Sequence, residues 1–148
     1  DQHEVIGYNF KYTDLQAVIG IEQMKKLPSR VERKKEMYAL YHRLLSPLSE
    51  IQFISTNLQD VSPWFIDVLV DANVRGALAA FLKEQGIGTR PFYPSIHSQP
   101  PYTQNKGHFP WSLKMSAEGL WLPSSSFLSD EDIRQVCKSI TEFFQKWA

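Results

Sequence analysis

Residues 64–88 read WFIDVLVDANVRGALAAFLKEQGIG. The first seven form a nearly continuous apolar run of β-branched and aromatic side chains. That composition suits a strand in the middle of a sheet. Asp67 interrupts the run, and its place is expected on a solvent-facing side. The period then changes. Val74, Ala77, Leu78, Phe81 and Leu82 fall at i, i+3, i+4, i+7 and i+8, which is one face of an α-helix. Gly86 follows as the left-handed residue that closes such a helix. A buried strand leading into an amphipathic helix means a sheet with helices laid against it.

Downstream, Ile87–Tyr93 reads as a short strand. Residues 94–110 are rich in Pro, Ser, Gln and Gly and form a long loop. Loops of this length in a compact domain are commonly functional. Trp111–Leu120 is expected to be a weaker helix, and Leu122–Phe127 extended chain. Ser129 caps a last helix whose first turn carries Asp130, Glu131 and Asp132, placed to favour the positive end of the helix dipole. Ile133, Val136, Cys137, Ile140 and Phe144 form its buried stripe.

Upstream, Ile51–Ser55 is a second strand. Before it, Thr13-Asp14-Leu15-Gln16 is a capping box that opens a helix to about Leu27. Its apolar face includes Leu15, Val18, Ile19 and Ile21, and Gly20 inside it suggests a close helix contact. Pro28 is expected to break the run. Ser29-Arg30-Val31-Glu32 is a second capping box, opening a helix to about Leu45. Arg30, Arg33, Lys34 and Lys35 are expected on its solvated face. The class is α+β: a small, mostly antiparallel sheet covered by helices. Residues 1–48 form a helical arm, and residues 49–148 the small domain. The arm looks too long for its core, as if it docks against a further partner.

Composition bounds the function. The 148 residues are 43% hydrophobic and 22% charged, as in globular proteins. Sixteen basic residues balance sixteen acidic ones, which argues against general nucleic-acid or acidic-membrane binding. No apolar run approaches a membrane span, and no signal peptide is visible. The single cysteine, Cys137, excludes an internal disulfide and is expected to be core packing in a cytoplasmic protein. His3, His42, His97 and His108 lack metal-ligand spacing. His3 is expected to be a mobile terminal residue, and His42 to be solvent-exposed. Gly86-Ile87-Gly88 is a helix stop before a strand, not a nucleotide fingerprint.

The one polar-aromatic stretch is Arg90-Pro91-Phe92-Tyr93-Pro94-Ser95-Ile96-His97-Ser98-Gln99. Two prolines stiffen it, and it presents a guanidinium, a phenol, an imidazole and an amide. Such groups suit sugar hydroxyls and phosphates. Spacing alone leaves a ligand-binding loop and a structural loop both open.

A resemblance carried by the order of several segments favours the ligand-binding reading. Residues 7–23 read GYNFKYTDLQAVIGIEQ and lead into MKKLP. WFIDVLVD, GIGTRPFYPSIHSQPPY, FPWSLKMSAEGLWLP and LSDEDI follow. This series resembles the DegT/DnrJ/EryC1/StrS aminotransferases, fold type I enzymes that use pyridoxal phosphate to aminate nucleotide-linked keto sugars. The resemblance implies the small C-terminal domain of that fold and a homodimer. It implies that Asn9 hydrogen-bonds the cofactor phosphate across the dimer. Lys11 stands near the substrate, where the family usually has arginine. Tyr93 and His97 match a family motif that lines the nucleotide-sugar pocket, and Arg90 is a further substrate-binding candidate. Leu122-Pro123-Ser124-Ser125-Ser126 departs from the family pattern.

In that family the lysine that forms the Schiff base lies upstream of the GYN segment. The chain is therefore expected to be a C-terminal part that lacks this lysine and does not transaminate alone. The complete enzyme would take its amino group from glutamate. Two alternatives stand beside this. One is a non-catalytic oligomerisation module; the other is part of a lysine-less dehydratase or regulatory relative.

Overall fold

A computed structural model describes residues 8, 10–102, 104 and 107–147 of the chain. Asn9, His3 and Gly7 lie outside the described residues. Helix α1 spans Asp14–Leu45, β1 Gln52–Phe53 and β2 Ile66–Leu69. Helix α2 spans Ala72–Glu84, β3 Arg90–Pro91, α3 Pro110–Glu118, β4 Gly119–Leu122 and α4 Asp130–Trp147. The strands form one sheet in the order β1-β2-β4-β3, every neighbouring pair antiparallel. The class is α+β.

The period of two sorts the sheet's faces. Ile66 pairs with Leu122 and Val68 with Leu120. All four are buried, on the face that α1, α2 and α4 share. From α1 the core takes Met37, Tyr38, Leu40, Tyr41 and Leu45, from α2 Leu78 and Leu82. From α4 it takes Ile133, Val136, Cys137, Ile140, Phe143 and Phe144. The expected stripe of α4 is therefore buried as read. Of the arm expected over residues 1–48, the part from Met37 onward supplies core side chains.

Local signals act as their chemistry requires. The Thr13 hydroxyl accepts from the Gln16 amide at 3.3 Å, and the Gln16 side chain accepts from the Thr13 amide at 2.9 Å. Ser129 and Asp132 make the same reciprocal pair at the start of α4. After α2, Gly86 has φ 74°. Its amide donates to the Lys83 carbonyl, and the Ile87 amide to the Leu82 carbonyl at 2.8 Å. This double bond pattern needs a left-handed residue, which glycine adopts without a Cβ penalty.

Four expectations are corrected. Pro28 does not break the arm; α1 is a single 32-residue helix with Pro28 inside it. Proline removes the bond to the Met24 carbonyl, but residues 21–30 are all exposed, so water can take that carbonyl. Ser29 does not cap; its hydroxyl donates back to the Lys26 carbonyl at 2.9 Å. Leu120 is not in a helix, because Gly119–Leu122 is a fourth strand between β2 and β3. Short apolar runs look alike in helix and strand.

The basic run of α1 is also not wholly solvated. One Arg33 nitrogen meets Asp130 at 2.8 Å and the other the Leu128 carbonyl at 2.7 Å. Lys34 donates to the carbonyls of Trp64, at 2.6 Å, and Ser124. Burial lowers the Lys34 pKa, while the hydrogen bond to Asp130 raises that of Arg33. Arg33 fastens α1 to the start of α4, and Lys34 fastens it to the chain just before β2 and just after β4. Tyr41 adds a third tie, donating to the Pro123 carbonyl at 3.0 Å. The backbone of the Leu122–Ser126 stretch thus anchors the arm.

Candidate functional site

The sheet's second face carries the polar and aromatic residues. Asp67 pairs with Trp121, and Trp121 with Arg90. The three side chains therefore stand in a row across β2, β4 and β3. Trp121 lies nearly parallel to Phe65, centroids 4.5 Å apart, and to Phe92 at 4.9 Å. The edge of Tyr93 meets it at 5.0 Å. Phe92 packs so closely on Gly119 that a Cβ there would lie 2.2 Å from its ring, which explains a glycine at the start of β4.

Arg90 and Tyr93 come together here. The guanidinium carbon lies 4.7 Å from the Tyr93 centroid and 5.7 Å from that of Trp121. Both residues remain exposed. Asp67 lies on the side of the sheet away from the core, as expected, and is half-buried there. Burial raises its pKa, and the hydrogen bond from the Trp121 indole partly opposes that rise.

His97 sits apart from this pair, in a short 3-10 turn over Ile96–Ser98, with its ring 4.8 Å from Phe109. The loop around it is tied down. Buried Ser95 donates to the Ser112 carbonyl of α3 at 3.2 Å, and Ser98 donates to the Ser95 carbonyl at 2.7 Å. A second 3-10 turn spans Pro100–Tyr102. From α2, Arg75 reaches the Ser116 carbonyl at 2.7 Å and fixes the junction of α3 with β4. Lys11 is exposed on the segment before α1. The sequence reading missed Trp121 as a site residue. Treating GLWL as a strand would have found it, since alternation puts Trp121 opposite the core-facing Leu120 and Leu122.

A cofactor bound as an imine needs a lysine amine at the site. Lys34 is held by backbone carbonyls of Trp64 and Ser124. Lys114 lies beside Glu118 and Trp111, and Lys146 over Phe81. These three amines are thus engaged away from Arg90 and Tyr93. Among the described residues, no group of His, Cys, Asp and Glu could hold a metal ion, and no helix is long and apolar enough to cross a membrane.

The profile of the DegT/DnrJ/EryC1/StrS aminotransferase family matches residues 1–141. A GDP-perosamine synthase of Escherichia coli O157:H7 is 30% identical over 143 residues, covering 96% of this chain and 39% of that protein. A pleiotropic regulatory protein of Geobacillus stearothermophilus is 31% identical, covering 99% of this chain and 41% of that protein. Among solved structures, the aminotransferase TlmJ from Streptoalloteichus hindustanus matches with TM-score 0.86 and 26% identity, over 99% of this chain and 40% of that one. The chain spans about two fifths of the length of these relatives.

Proposed function

The chain belongs to the DegT/DnrJ/EryC1/StrS aminotransferase family, and from that premise we propose that it is the C-terminal part of a pyridoxal-phosphate enzyme that aminates a nucleotide-linked keto sugar. A relative named for a GDP-linked product supports the substrate class. The observation that carries the reading is the placement of Arg90 over Tyr93 on the open face of the sheet, with His97 on the adjoining loop. Arg90 offers a planar fork to a phosphate or to vicinal hydroxyls. Tyr93 and His97 each add a hydrogen bond that fixes orientation. Pro91 and Pro94 stiffen the segment, so less ordering is needed on binding. Lys11 brings a further positive charge from the arm, and Asn9 a hydrogen bond to the cofactor phosphate in a partner subunit.

The cofactor lysine belongs, in this proposal, to the part of the enzyme upstream of Gly7. Joined to a family large domain that carries it, the chain should support glutamate-dependent amination of a nucleotide-linked keto sugar. The chain alone should release no 2-oxoglutarate from glutamate. Turnover by the chain alone would overturn this division of labour. Full-length protein that binds nucleotide sugar without turnover would favour a regulatory relative, the reading to which the Geobacillus protein points. An assembly role is favoured by a separate observation, the exposure of Leu15, Val18, Ile21 and Met24 on α1.

A further inference from the structure

Asp67, Trp121 and Arg90 lie 54 and 31 residues apart in sequence, yet the register sets them in one line across three strands. The middle residue is the restrained one. Trp121 is half-buried, flanked by Phe65 and Phe92, and its indole N–H donates to the Asp67 carboxylate. An indole that donates to a carboxylate becomes more electron-rich, and its π face attracts a cation more strongly. Arg90 rests on that surface and on Tyr93. Among the described residues its partners are rings and not carboxylates. A flexible arginine on a two-residue edge strand would otherwise sample many rotamers. Resting on rings, it keeps its N–H groups free for a ligand, which a salt bridge would occupy.

We propose that Trp121, braced by Asp67, is a positioning residue that holds the Arg90 guanidinium in the orientation that receives the substrate's phosphate. The proposal rests on the reading of Arg90 as a substrate ligand, and the two are tested separately.

The first measurement is nuclear magnetic resonance of this chain. Ring currents from Trp121 and Tyr93 should shift the Arg90 side-chain protons upfield. Trp121→Leu should return most of that shift while the amide dispersion of the sheet persists. Should Trp121→Leu unfold the chain, Asp67→Leu is the second variant; it should reduce the shift, and Asp67→Asn, which keeps an acceptor, should restore it. Arg90 signals unmoved in a folded Trp121→Leu or Asp67→Leu chain would overturn the positioning role.

The second measurement is on the complete enzyme. Arg90→Ala and Trp121→Leu should each raise the KM for the nucleotide sugar roughly tenfold, with a smaller change in kcat, and the double variant should add little. If Arg90→Ala raises KM and Trp121→Leu does not, positioning is refuted and the substrate role of Arg90 stands. If Arg90→Ala leaves KM unchanged, the substrate role fails, and the proposal fails with it.

Discussion

Asp67 shows how one residue can act against the fold that contains it. Burial raises its pKa above the usual 3.8, and the indole hydrogen bond offsets only part of that. The unfolded chain therefore releases this proton at a lower pH than the folded chain does. Linkage fixes the sign: Asp67 lowers stability as pH rises from the ordinary carboxylate value through the raised one, and the loss is complete above it. Asp67→Asn keeps an acceptor for Trp121 and does not titrate. Its urea midpoint should exceed that of the parent chain above this window and converge with it below. Equal midpoints throughout would mean that the carboxylate is not desolvated. Cys137 follows the same rule at higher pH: burial pushes its thiol up to about 12, so it packs as an apolar side chain.

Among the elements, α1 carries two behaviours in one rod. From Met37 to Leu45 it is core; from Asp14 to Arg30 nearly every side chain is exposed. Pro28 falls in the exposed part, where proline costs about 3 kcal/mol against alanine. Pro28→Ala should therefore increase helix content by far-ultraviolet circular dichroism. The thermal midpoint of the core should barely move, because that stretch contributes little to core packing. A large rise in the midpoint would show that the two halves of α1 unfold as one unit. Gly20 belongs to the same exposed half. The nearest atom to a Cβ built there is the Tyr12 hydroxyl, at 2.8 Å, so its close contact is local to the arm.

The molecule as a whole exposes too much surface for its mass. Its accessible area is 10982 Å², against about 7,700 Å² expected for a compact monomer of 17.1 kDa. Much of the apolar share lies on α1. Leu15 is 73% exposed, Met24 65% and Val18 59%. At 100° per residue Leu15 and Met24 lie on opposite sides of the helix, so apolar side chains surround it. A helix of that kind suits an interior. The chain should self-associate with rising concentration in analytical ultracentrifugation, and Val18→Glu with Met24→Glu should weaken the association. A sharp monomer at high concentration would count against an assembly role for this face.

Local features were readable from the order of residues alone. Capping boxes at Thr13 and Ser129, the glycine stop at Gly86, the stripe of α4 and the strand at Ile66–Leu69 follow from hydrogen bonds and periodicities spanning a few residues. Family membership was legible for a related reason: it rests on the order of several short segments along the chain, and the family profile matches residues 1–141. Tertiary structure decided what depends on distant partners. Whether Pro28 ends a helix depended on water reaching a carbonyl, and whether Arg33 and Lys34 are solvated depended on Asp130, Trp64 and Ser124. Gly119–Leu122 became a strand because β2 and β3 supply its hydrogen bonds from both sides. The alignment of Asp67, Trp121 and Arg90 is a property of strand register. Alternation within a segment sorts its side chains between the two faces, but which residues of two strands stand side by side is settled only where the strands meet.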